Sequence, residues 1–240
     1  MRSVLVSTLA TIAFSLAACR TASPPAPGGE TVILIHGMGR STAAMAILAR
    51  RLELAGYHSV NFGYDAGDED LDTLSRRLLD RIEREVIVQP GHTPYHVVGH
   101  SLGNIIARNA FRFGYPKNAG GGLATMVMLA PPNRPALLAK KLADNRLYRW
   151  LNGEPGQRLA DPGFYATLPV PTVPFGVIAG SKGQSLTFAE PNDGIVAVDA
   201  TRLDGMRDWI VLDHTHTFLM NGSDTFEQVV HFIQHQTFQR

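Results

Sequence analysis

Positions 95 to 103 constrain this chain more than any other stretch. Tyr95-His96-Val97-Val98 is a short apolar run, Gly99-His100-Ser101-Leu102-Gly103 follows it, and Leu102, Ile105, Ile106, Ala110 and Phe113 then recur at helical spacing. A strand, a serine and a helix therefore succeed one another with almost no loop between them. The serine must sit on a turn tight enough to lift its hydroxyl clear of the sheet. Side chains two residues to either side would crowd that turn, so Gly99 and Gly103 suit it. The amino end of the following helix offers backbone N–H groups to a developing negative charge. Gly-x-Ser-x-Gly alone also describes an ordinary strand-to-helix turn capped by serine, so the rest of the chain has to decide.

The 240 residues are 45% hydrophobic and 18% charged, which suits one domain with a sizeable core. A net charge of +1 without a long Lys/Arg block argues against nucleic-acid binding, which needs a concentrated basic surface. Residues 1–18 read as a secretory signal: a basic start at Met1-Arg2-Ser3, then a nearly uncharged apolar run from Val4 to Ala18, too short for a comfortable membrane span. The run ends in Leu16-Ala17-Ala18-Cys19, placing small residues directly before the single cysteine. That tetrapeptide resembles the lipobox of bacterial lipoproteins. The resemblance implies cleavage before Cys19, lipidation of Cys19 with several acyl chains and stable membrane anchoring. Arg20, where an Asp would signal retention at the inner membrane, resembles the outer-membrane pattern of Gram-negative lipoproteins. The expected location is thus the cell envelope, on the periplasmic side of the outer membrane if the source is Gram-negative. Residues 19–30, with Pro24-Pro25-Ala26-Pro27-Gly28-Gly29, read as a tether, and the folded domain is expected over residues 31–240.

Within that domain the pattern alternates strand and helix. Thr31–Ile35 is a continuous apolar, β-branched run suited to a strand buried on both faces. Ser41 is positioned to cap a helix carrying Met45, Leu48, Leu52 and Ala55 on one face, with Gly56 as its stop. A strand follows at Ser59–Tyr64, then an amphipathic helix from Asp70 to Val86 with Leu71, Leu74, Leu78, Ile82 and Val86 in one stripe. Pro90-Gly91 breaks the chain before the serine-bearing strand. Thr125–Leu129, Phe175–Gly180 and Asp208–Leu212 are further strands, and Ser223 is placed to cap a closing helix that turns Phe226, Val229, Val230 and Ile233 inward. The expected fold is α/β, a mostly parallel, doubly wound sheet of about six strands flanked by helices. Residues 131–174, with a helix expected over Pro135–Trp150, depart from the rhythm as an insert before the acid-bearing strand. They read either as a lid or binding wall or as a decorated surface loop.

A serine hydroxyl needs a base within reach, and that base needs an orienting acid. In a doubly wound sheet both come from loops at the carboxyl ends of later strands. Asp193, in Pro191-Asn192-Asp193-Gly194, is the leading acid; Asp161, Asp199 and Asp213 are its rivals. The loop after the last strand offers His214 and His216, of which His216 lies closer to the apolar Phe218-Leu219-Met220 anchor. His-x-His can also ligate a metal, but no carboxylate or cysteine cluster completes a set. His96 and His231 read as packed or surface histidines, and His100 as packing or hydrogen-bonding locally. An oxyanion hole would draw on the N–H of Leu102 and on the Gly-rich loop His36-Gly37-Met38-Gly39, with Met38 N–H ahead of Gly37 and the His36 ring as structural.

Taken together, Leu34-Ile35-His36-Gly37-Met38-Gly39-Arg40, Val98-Gly99-His100-Ser101-Leu102-Gly103, Pro191-Asn192-Asp193-Gly194-Ile195-Val196 and His216-Thr217-Phe218-Leu219-Met220 resemble an alpha/beta-hydrolase of the esterase/lipase type. The resemblance runs from about Thr31 to the end of the chain. It implies a Ser101–His216–Asp193 triad, an acyl-enzyme, a small-molecule or lipid ester as substrate, and neither metal nor organic cofactor. Asn104 stands where many relatives have a second glycine, and Leu129-Ala130-Pro131-Pro132-Asn133 resembles a segment recurrent in small bacterial members. The usual two antiparallel first strands are expected to be missing. An acyltransferase using the same acyl-enzyme, and a non-catalytic envelope lipoprotein that binds lipid or a partner, are the competing readings.

Overall fold

The computed structural model of the chain describes residues 29–89, 94–134, 154–159, 161–183 and 190–240. The signal segment, Cys19, most of the tether, Pro90-Gly91 and the helix expected over Pro135–Trp150 lie outside the described residues. Six strands form one sheet: β1 (Thr31–Ile35), β2 (His58–Phe62), β3 (Tyr95–His100), β4 (Leu123–Leu129), β5 (Phe175–Gly180) and β6 (Asp208–Leu212). Their spatial order is β2-β1-β3-β4-β5-β6 and every pairing is parallel. Helices α1 (Ala46–Leu54), α2 (Leu71–Ile82), α3 (Leu102–Ala110), α4 (Pro162–Thr167) and α5 (Ser223–His235) complete the regular elements used below. This is the α/β, doubly wound architecture the alternation predicts.

The two layers follow from the pleat. Ile33 and Ile35 of β1 join Leu74, Leu78 and Ile106 in the core beneath α2 and α3. Val32 and Leu34, on the other face, join Leu48, Leu52, Val229 and Phe232 beneath α1 and α5. A strand buried on both sides cannot alternate with polar residues, hence the unbroken apolar run. Among the described residues no helix is long and apolar enough to cross a membrane.

Several ends differ from the sequence reading, each for a local reason. Ser41 makes no side-chain cap bond; the chain enters through a tight 3-10 turn at Thr42–Met45 in which Ala44 N–H reaches Ser41 O at 3.0 Å. At the closing helix the cap is Gly222, not Ser223, and Asp224 supplies the negative charge in the first turn. Helix α2 stops at Ile82 and continues as a π-helical turn through Ile87, which keeps Val86 and Ile87 buried after the phase changes. Asp70, read as the first residue of the helix, instead caps α2, its carboxylate accepting from Thr73 N–H at 2.8 Å.

The topology already locates a site. The chain turns outward from β1 to β2 on one side and to β3 on the other. The carboxyl ends of β1 and β3, paired in register Ile35 to Gly99, therefore flank the crevice where the winding reverses.

Candidate active site

Ser101 follows directly on β3 and precedes α3, with φ 51° and ψ −122°. A non-glycine residue there carries backbone strain that its surroundings must hold in place. Ser101 N–H donates to Leu129 O at 3.0 Å, and the Asn104 amide donates to Ser101 O at 3.2 Å and to Leu129 O at 3.0 Å. Asn104 thus ties the turn to β4, a role its sequence position did not disclose. A Cβ on Gly103 would stand 2.6 Å from Ile35 O and 2.7 Å from His36 O, and one on Gly99 2.5 Å from Asn104 Oδ1. Both glycines are needed for close approach, Gly103 so that α3 can sit against the end of β1. Ser101 itself is half-buried.

The loop after β1 faces this turn. His36 is buried, stacked on Tyr64 at 4.2 Å between ring centroids with planes 2° apart. Its Nε2 accepts from Tyr64 N–H at 3.4 Å, so Nδ1 carries the proton and donates to Gly37 O at 2.8 Å. Burial lowers the His36 pKa, opposed by the Gly37 bond, and the ring stays neutral and structural. Among the described residues the N–H groups of Met38 and Leu102 have no acceptor. They come from the loop after β1 and the amino end of α3, which the β1–β3 pairing sets side by side.

The acid and base loops converge across the sheet. Asp193 and His216 are both buried, at 2% and 6% exposure, and His216 Nδ1 lies 2.7 Å from Asp193 Oδ2. The other carboxylate oxygen accepts from Ile195 N–H at 3.0 Å and Val196 N–H at 2.7 Å, and His216 N–H donates to Asp193 O at 2.8 Å. A carboxylate only accepts, so His216 Nδ1 holds the proton and Nε2 is left as an acceptor. His214 turns elsewhere: its Nε2 meets Asp224 Oδ1 at 2.7 Å, at the start of α5. Among the rival acids, Asp161 caps α4, Asp199 pairs with Arg134 and Arg202, and Asp213 pairs with Lys182. Among the described residues no three His, Cys, Asp or Glu side chains gather as metal ligands would.

His100 is packed, the first of the two readings, and its hydrogen bond is long-range and not local. Its Nε2–H donates to the His216 carbonyl at 3.0 Å, and the two rings lie 4.7 Å apart. Burial, with the nearby His216 ring second, holds its pKa well below the ordinary 6.5. Its Nδ1 is buried with no partner among the described residues. The residue before the serine therefore braces the backbone of the histidine loop. An open groove of about 450 Å³ runs along that loop, bordered by Lys182, Ile195, Thr217 and Phe218. A smaller hollow of about 280 Å³ lies beyond Arg40 and Tyr64. Arg40 donates to Thr217 Oγ1 at 3.0 Å and so joins the loop after β1 to the histidine loop.

A sequence profile of the alpha/beta hydrolase family matches residues 32–236. The chain belongs to the alpha/beta hydrolase family. Curated proteins yield no match to the sequence. Solved structures share the fold at low identity. The mature form of the Bacillus licheniformis lipase BlEst2 superposes with a TM-score of 0.66 at 19% identity, covering 88% of this chain and 96% of that one. The metagenomic carboxyl esterase MGS0156 gives 0.59 at 18%, over 82% and 67%. The Legionella pneumophila phospholipase PlaB gives 0.59 at 20%, over 73% of this chain but 45% of its own length.

Proposed function

We propose that this alpha/beta hydrolase is a serine carboxylic ester hydrolase held in the cell envelope by lipid on Cys19. The observation that carries the reading is the buried 2.7 Å bond between His216 Nδ1 and Asp193, which leaves His216 Nε2 free to act as base. In this mechanism Nε2 takes the Ser101 proton as Oγ attacks the ester carbonyl. Asp193 holds the tautomer and stabilises the imidazolium that forms. The negative oxygen of the tetrahedral intermediate is received by Met38 N–H and Leu102 N–H, both without an acceptor among the described residues and the second at the amino end of α3. Collapse expels the alcohol, which takes the proton from Nε2, and leaves an acyl group on Ser101. Water then attacks, Nε2 again serving as base, and the carboxylic acid departs. The exposed apolar side chains Phe218 and Ile195 beside the groove suit an acyl or alkyl substituent.

The test is Ser101→Ala assayed on short p-nitrophenyl esters. The expected loss in kcat is about 10⁴-fold with an unchanged circular dichroism spectrum. A folded variant that keeps most of its activity rules the mechanism out.

A further inference from the structure

We propose that the candidate site faces away from the bilayer that holds Cys19, so that it takes esters presented from the aqueous compartment and not the lipids of its own leaflet. This rests on the anchoring through Cys19 proposed above.

Parallel strands give the domain two unlike ends. Ser101, Met38, Asp193 and His216 all lie beyond strand carboxyl ends. The tether joins at the opposite end. Glu30 immediately precedes β1; its carbonyl accepts from His58 N–H at the start of β2, and its carboxylate lies 3.4 Å from His96 Nε2 near the start of β3. These bonds fix the point of departure from the fold.

Eleven residue steps separate Cys19 from Glu30. Even fully extended they reach about 38 Å. A domain of the size of residues 31–240 behaves as a sphere of radius about 22 Å. To lay the site against the anchoring leaflet, the tether must pass from the amino-end pole over a quarter of the circumference and then run straight to the membrane, about 55 Å in all. The tether is too short by about 17 Å. The domain can swing on its tether but cannot roll over onto its site. Phe218, 61% exposed, and Ile195, 40% exposed, accordingly point into the compartment, where they suit an amphiphilic ester arriving as a monomer or micelle.

Cys19 is the single cysteine of the chain and lipidation consumes its thiol, so an introduced cysteine is the one free thiol available for labelling. Phe218→Cys marks the site end. Lys117→Cys, exposed in the loop before β4, marks the tether end. Each full-length protein is purified from membranes, labelled with a donor dye and added to phosphatidylethanolamine/phosphatidylglycerol vesicles carrying a rhodamine lipid. Energy transfer from position 117 is expected to be about three-fold more efficient than from position 218, because roughly a domain diameter separates them. A flexible insertion of about 25 residues after Gly28 is expected to narrow that difference, since the tether then exceeds the path. Equal transfer from both positions with the native tether overturns the orientation. Failure of both proteins to join vesicles, with an unmodified Cys19 by mass, overturns the anchor and this inference with it. The two failures are distinguished by whether protein co-sediments with the vesicles.

Discussion

Lowering the pH titrates a residue that the fold keeps neutral, and His100 is the place to measure it. The ring is fully buried, Nε2–H is committed to the His216 carbonyl, and among the described residues Nδ1 has no partner to receive a second proton's charge. In the unfolded chain His100 takes up a proton near pH 6.5; in the folded chain its pKa is well below that. The unfolded state therefore binds more protons as pH falls, and folding stability, complete above pH 6.5, is lost progressively below it. Linkage gives about 1 kcal/mol lost from this one ring between pH 7.0 and 5.5. His36, also lowered by burial, acts in the same direction. His100→Gln has no titratable group and a side-chain amide that can still donate to a carbonyl. Urea unfolding of the wild type and His100→Gln at the two pH values separates the His100 share from every other group. The stability difference between the proteins should move by about 1 kcal/mol in favour of the variant at pH 5.5. A difference that does not change with pH refutes the buried, neutral assignment.

Two further outcomes follow from the geometry. His216→Gln should lower kcat on a p-nitrophenyl ester by about 10³-fold or more, while His214→Gln, which loses only the Asp224 contact, should change it less than about three-fold; comparable losses in steady-state assays would mean that the base is misassigned. Arg108 is a buried guanidinium, its pKa lowered to about 10 by burial, that donates to Asn133 Oδ1, Leu168 O and Pro169 O. Arg108→Met should cost about 3 kcal/mol in urea unfolding, because two buried acceptors and a half-buried one lose their donor; an unchanged midpoint would show that these acceptors find other partners.

The fold was legible in the sequence where one periodicity dominated. The β-branched run at Thr31–Ile35 and the stripe on α2 report burial directly, and burial sets the layer order. Element ends were less legible because they depend on partners. Strand β3 runs on through His100 because its last residues pair with Met128 and Leu129 of β4. The change to a π-helical turn after Ile82 serves side chains that must reach the same core from a shifted phase. At the candidate site the residue types and their order along the chain pointed to Ser101, Asp193 and His216. Nearness to the apolar Phe218-Leu219-Met220 segment favours His216 over His214, and the contact of His214 with Asp224, in the first turn of the closing helix, supports the same choice. The bracing by His100 and Arg40 joins residues 116 and 177 positions apart, and no local pattern encodes it.

The account stands or falls on Ser101. Incubation of the purified protein with a fluorescent fluorophosphonate, followed by peptide mass mapping, tests it most directly. One adduct per chain, on Ser101, abolished in Ser101→Ala and sharply reduced in His216→Gln, is the expected result. Folded protein that takes up no label, or carries it on another residue, contradicts the assignment of Ser101 as the nucleophile.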